Sequence, residues 1–155
     1  MLHNAHRMLI VEDQPLIAVM LEELAITLGW EVAAIAYSAV GAMMALDHVT
    51  PTLAVLDIDL GESTTSLGVA ARCDARNIPV IFITGSGPSE IPHECANTPV
   101  LIKPFSEEAF ASAVRDVMVG QLRRRRWSSS NSAERPLTFP SLEVPAWLHP
   151  QRKDD

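Results

Sequence analysis

Short apolar runs recur along the chain, and each is cut off by polar residues. They are Met8-Leu-Ile-Val11, Trp30–Tyr37, Leu53-Ala-Val-Leu56, Val80-Ile-Phe-Ile83 and Val100-Leu-Ile102. Short apolar runs bounded by turn residues read as strands buried on both faces. Between them the spacing becomes helical. Pro15 stands at a first helical position, Ile17, Met20, Leu21, Leu24 and Leu28 keep one face, and Gly29 stops the helix. Ser38 as N-cap predicts a helix from Ala39 to about His48, with Met43, Met44 and Leu46 as core filling. A third helix is predicted from about Leu67 to Arg76. Ser106 caps a last one, with Glu107 and Glu108 in its first turn and Phe110, Val114, Val117 and Met118 inward. Arg123–Arg126 suit its C-terminal end. Between Gly85 and Pro99 the pattern breaks, because Pro88, Pro92 and Pro99 leave room for a short, distorted fourth helix at best.

Strands and helices alternate through short connections. The predicted class is therefore α/β: a flavodoxin-like, doubly wound, five-stranded parallel sheet of order 2-1-3-4-5. The 155 residues suffice for one domain with a real core, and 48% apolar residues fit a globular chain. Residues 1–7 are expected to be a lead-in and 8–120 the domain. Residues 121–155 are expected to be a basic helix end and, from Ser128, a disordered tail in which no period survives. Trp127, Phe139, Trp147 and Leu148 are odd in such a tail. They either dock on the domain or a partner, or are residual hydrophobics without a role.

Charge narrows the partners. Residues 1–120 hold 5 Lys/Arg against 15 Asp/Glu, net −10, whereas residues 121–155 hold 7 against 4, net +3. An acidic body repels nucleic acid. The tail is too short for a winged helix, and Arg123–Arg126 read as a solvated helix end, so no DNA partner is expected. No run approaches the roughly 18 apolar residues of a membrane span. The first apolar run is cut at once by Glu12-Asp13, unlike a signal peptide. Cys73 and Cys95 have neither metal spacing nor a disulfide framework, and His3 and His6 read as a solvated terminus. A cytoplasmic, reduced protein is the expectation.

The chemistry gathers at strand ends: Glu12-Asp13, Asp57, Thr84 and Lys103. In the predicted order the first and third strands flank the switch point, which brings Glu12 and Asp13 beside Asp57. Packed carboxylates repel unless a cation joins them, and Mg²⁺ suits an all-oxygen donor set. A carboxylate can attack phosphorus, so Asp57 is the candidate acceptor, Lys103 a point charge for phosphoryl oxygens and Thr84 a hydroxyl donor.

These motifs, Val11-Glu12-Asp13, Leu56-Asp57-Ile58-Asp59, Ile83-Thr84-Gly85 and Ile102-Lys103-Pro104-Phe105, resemble the receiver domain of two-component response regulators over about residues 7–120. The resemblance implies Mg²⁺-dependent phosphorylation of Asp57 by a histidine kinase or histidine phosphotransfer protein. It implies Mg²⁺ ligation by Glu12, Asp13, Asp57 and the backbone carbonyl of Asp59. Thr84 and Lys103 would then sense the phosphoryl group and switch contacts with a downstream protein. Such a protein is a phosphoacceptor rather than an enzyme. Val100 stands where most receivers carry an aromatic switch residue. Pro79–Gly85 resembles the Phe-x-Thr-Gly variant of stand-alone receivers without an output domain.

Two rivals share the residues. Asp57-x-Asp59 also resembles haloacid dehalogenase phosphohydrolases, with Asp57 as nucleophile and Asp59 as general acid. Against this, such enzymes carry the nucleophile on their first strand and need a later acidic pair. A pseudo-receiver that binds partners without phosphorylation is the other, and the complete set of acceptor, acids, Thr84 and Lys103 argues against it.

Overall fold

The computed structural model describes residues 6–87, 89, 91–95 and 97–130, and the backbone alone for Glu94 and residues 124–130. The elements follow as β1 (Arg7–Val11), α1 (Pro15–Thr27), β2 (Glu31–Ala36), α2 (Ala39–His48), β3 (Leu53–Asp57), α3 (Leu67–Ala75) and β4 (Val80–Thr84). A 3₁₀ turn (His93–Cys95), β5 (Val100–Ile102) and α4 (Glu107–Ser130) complete the order. All strands are parallel, in the order β2-β1-β3-β4-β5.

Strand periodicity builds both halves of the core. Successive side chains point to opposite faces. Leu9, Val11, Ala54, Leu56 and Phe82 therefore join Leu46 of α2 and Val69, Ala70 and Cys73 of α3. Met8, Ile10, Leu53, Val55, Ile81 and Ile83 join Leu21 and Ala25 of α1 and Phe110 and Val114 of α4. With helices on both faces, β3 is buried along its whole length, so its sequence shows an unbroken apolar run.

Helix ends follow their sequence signals. Pro15 opens α1. Gly29, at φ +82°, closes it with Gly29 N–H donating to Ile26 O and Trp30 N–H to Ala25 O, which is a Schellman motif. The Ser38 hydroxyl accepts from Gly41 N–H at 3.0 Å, and that of Ser106 from Ala109 N–H at 3.0 Å.

Some expectations change. Met20 and Met44 are exposed rather than core, and the small Ala18, Ala25 and Ala42 take the buried positions. Helix-to-sheet packing at these points is close enough that a methyl group fills the gap. Trp30 precedes its strand but is buried, and the His6 ring lies against it, centroids 4.7 Å apart. Among the described residues the fourth-helix region forms no α-helix, and its His93–Cys95 turn is held by Cys95 N–H donating to Pro92 O. The last helix runs through Arg123–Arg126, the expected basic helix end, and continues to Ser130, past Ser128 where the tail was expected to start. His3 and tail residues 131–155 lie outside the described residues. Both cysteines are buried without a disulfide, and burial pushes the Cys73 thiol up to about 11 despite Arg76 and Arg72 nearby. Among the described residues no helix is long and apolar enough to cross a membrane.

Candidate functional site

The site forms where β1, β3, β4 and β5 end along one edge of the sheet. Register explains the meeting. Val11 pairs with Leu56, so Glu12 and Asp57, each the next residue, emerge side by side. Asp57 pairs with Ile83 and Thr84 with Ile102, which leaves Thr84 and Lys103 one step further along. Backbone hydrogen bonds continue past the strands and fix this edge: Glu12 N–H to Ala36 O at 3.0 Å, Ile58 N–H to Ile83 O at 2.8 Å and Lys103 N–H to Thr84 O at 2.7 Å.

Side chains then close the cluster. The Lys103 ammonium donates to Glu12 Oε2 at 2.9 Å and Asp57 Oδ2 at 2.7 Å. Glu12 is fully buried and Asp57 nearly so, while Lys103 keeps partial contact with solvent. The remaining carboxylate oxygens are used too. Gln14 N–H donates to Glu12 Oε1 at 3.0 Å and Asp59 N–H to Asp57 Oδ1 at 3.2 Å. Buried charges must be paired and hydrogen-bonded to be tolerated, and both carboxylates meet that condition.

The electrostatics remain tense. Burial pushes the Glu12 carboxyl up to about 7, partly offset by hydrogen bonds from Lys103 and Gln14 N–H and reinforced by the Asp57 charge. Burial alone would lower Lys103, but its hydrogen bonds to Asp57 and Glu12 outweigh it and hold the ammonium above its ordinary value. One carboxylate oxygen from each of Glu12, Asp13 and Asp57 lies within 4.8 Å of the others. Three hard oxygen donors converging on one point, with more negative charge than one lysine neutralises, fit a small divalent cation such as Mg²⁺.

Thr84 is buried, and its hydroxyl oxygen accepts from Ser86 N–H at 3.0 Å, which leaves its proton free to donate. Of the sequence-predicted residues, the fold thus brings Glu12, Asp13, Asp57 and Lys103 together and places Thr84 on the adjoining strand. The Asp59 carboxylate does not join them. It is exposed and accepts from Gly61 N–H at 3.0 Å, the geometry of a local turn. A general acid at Asp59 beside Asp57, as the phosphohydrolase reading needs, is not formed.

Gly61 is the position that sequence reasoning passed over. It sits at φ +79°, and a Cβ there would meet Asp13 Oδ2 at 3.3 Å. Glycine therefore lets the turn after β3 approach the acidic cluster without crowding Asp13. The signal was present as Asp59-x-Gly61, an Asx-type turn directly after a buried acid.

Comparison with known proteins agrees with this geometry. No protein-family model matches the chain. It is 31% identical over 131 residues to the phyllosphere-induced regulator PhyR of Methylorubrum extorquens, a match covering 83% of this chain and 49% of PhyR. The chain therefore spans about half the length of that curated relative. It is 32% identical to SdrG from Sphingomonas melonis Fr1, covering 74% of this chain and 97% of SdrG with a TM-score of 0.67. The signal receiver domain of a modulated diguanylate cyclase from Desulfovibrio desulfuricans G20 superposes with a TM-score of 0.70 at 26% identity, covering 78% of this chain and 99% of that domain. Strand order, acidic edge and these likenesses coincide, and the chain belongs to the receiver domains of response regulators.

Proposed function

We propose that the chain is a phosphoacceptor receiver whose Asp57 takes a phosphoryl group from the phosphohistidine of a kinase or phosphotransfer protein. The supporting observation is the Lys103 ammonium shared between Glu12 and Asp57 at the sheet edge, with Asp13 beside them. An Asp57 oxygen attacks phosphorus, the phosphorus–nitrogen bond to the donor imidazole breaks, and an acyl phosphate forms on Asp57. Little covalent assistance is needed, because such transfer depends on positioning and charge neutralisation. Glu12, Asp13, Asp57 and the Asp59 backbone carbonyl would hold Mg²⁺, which supplies positive charge against the phosphoryl oxygens. Lys103 supplies a second positive charge and Thr84 a hydroxyl donor.

Switching follows from differential contacts. Before transfer Lys103 is held by two carboxylates, and after it the phosphoryl oxygens compete for the same ammonium. Lys103 N–H is bonded to Thr84 O, so a shift at one strand end is felt at the other. The segment between β4 and β5 lies directly beyond and carries the change to a downstream protein.

The test is the amide NMR spectrum with Mg²⁺ and beryllium fluoride, a phosphoryl mimic. The reading expects shifts at Asp57, Thr84, Lys103 and residues 85–100, all lost in Asp57→Asn. A spectrum unchanged by the mimic contradicts it.

A further inference from the structure

Two of the three tryptophans, Trp127 and Trp147, lie beyond Gly120, and the phosphoryl chemistry uses neither. Residues 137–148 read Leu-Thr-Phe-Pro-Ser-Leu-Glu-Val-Pro-Ala-Trp-Leu, with Pro136, Pro140, Pro145 and Pro150 spaced along the stretch. Regular prolines exclude helix and favour an extended strap that gives up little entropy on docking. Seven apolar side chains in twelve residues are more than a strap without a contact needs.

The domain offers a matching surface. Ile17 and Met20 of α1, with Pro104, Phe105 and the Lys103 stem, line a groove of about 260 Å³ at the acceptor edge. Next to it on α1, Leu16 is 81% exposed and Val19 and Met20 are exposed as well. α1 carries this apolar surface on the same side of the sheet as α4.

Two observations name the occupant. First, the chain leaves the domain from α4, on the groove's own face. The larger hollow of about 510 Å³ beside Ile91, His93, Cys95 and Val100 lies over the opposite face, with α2 and α3, beyond the sheet edge. Second, the length fits. α4 starts next to Phe105 and its 24 residues carry the chain about 36 Å away. The 17 residues from Ser130 to Trp147 span up to roughly 55 Å extended, enough to return beside α4 to its start.

We propose that residues 137–148 fold back along the α1–α4 face of the same molecule and seat Trp147 in the groove formed by Ile17, Met20, Pro104 and Phe105. The strap then lies against the Lys103 side of the acceptor edge. On the phosphoacceptor reading, a protein donor must displace it, whereas a small phosphodonor need not.

The docking itself is tested without phosphorylation, so its failure leaves the phosphoacceptor reading standing. The full chain is compared with Trp147→Ser, and the difference in tryptophan emission isolates Trp147, since Trp30 and Trp127 contribute to both. Expected is a blue-shifted difference spectrum, quenched by acrylamide several-fold less than free tryptophan and unchanged on dilution. Met20→Glu should return it to the solvent value, while Val40→Glu, on exposed α2, should not. Amide NMR of the full chain and Trp147→Ser reads the same contact with the groove intact, with expected shifts at Met20 and Phe105. Solvent-like quenching of Trp147, burial that survives Met20→Glu, or burial lost on dilution as for a second copy's segment would each overturn the proposal. So would unshifted groove amides.

Discussion

The β1–β3 edge and the β4–β5 connection are neighbours built in opposite ways. At the first, the buried residues Met8–Val11 and Leu53–Leu56 run straight into Glu12 and Asp57, and each oxygen of these two carboxylates has a donor. At the second, the described residues of 85–99 include the His93–Cys95 3₁₀ turn and no α-helix, β5 after them has only three residues, and Ile91 and Val100 are only partly buried. On the proposed phosphoacceptor reading, the difference divides the labour. Attracting and stabilising a phosphoryl group needs preorganised charge, which a packed edge supplies. Reporting it needs a segment whose rearrangement costs little, and segments with few buried apolar contacts open first.

The largest expected contrast is in packing. Leu56→Ala in β3 should cost about 2–5 kcal/mol, whereas Ile91→Ala should cost about 1 kcal/mol or less, both read by urea unfolding. Equal costs would mean that the connection is as firmly built as the edge.

Removing the shared cation comes next. Lys103→Met leaves two buried carboxylates facing each other and should destabilise by on the order of 2–3 kcal/mol at pH 8. The loss should shrink at pH 5, where Glu12 takes a proton, and on adding Mg²⁺, which replaces the missing charge. A loss independent of both conditions would show that Lys103 acts by packing alone.

The pH dependence of the native chain has a definite sign. Glu12 titrates near 7 when folded against an ordinary 4.5, because burial disfavours its charge. The folded state thus holds more protons than the unfolded one between these values, and stability falls as pH rises through that window. The loss attributable to Glu12 should be on the order of 1–3 kcal/mol, and Glu12→Gln should flatten this part of the profile. A profile unchanged by that substitution would remove Glu12 as its source. The smallest effect lies away from both regions, where Ser38→Ala deletes one capping bond and should cost about 1 kcal/mol without altering the pH profile.

Much of this was legible in the chain. Buried parallel strands announce themselves as unbroken apolar runs, and β3, β4 and β5 fall where Leu53–Leu56, Val80–Ile83 and Val100–Ile102 place them. Because the first and third strands flank the switch point in the predicted order, Glu12, Asp13 and Asp57 were assignable to one site from the sequence, and the register bears this out. The partnership of Glu12 and Asp57 with Lys103 was less legible. Sequence gave a strand end, whereas reach across to the β1 side depends on side-chain direction. Helix faces were also less certain. Met20 and Met44 fit the apolar period but lie outward, because spacing does not say which of two adjacent stripes meets the sheet. The role of Gly61 was hidden because its value lies in the close approach of Asp13, a contact 48 residues away in the chain.

The most direct test of the account is intact mass after incubation with acetyl phosphate, with and without Mg²⁺, on the full chain and on Asp57→Asn. The account predicts one phosphoryl adduct that requires Mg²⁺ and disappears in Asp57→Asn. No adduct on the native chain, or an adduct that persists without Asp57, would contradict it.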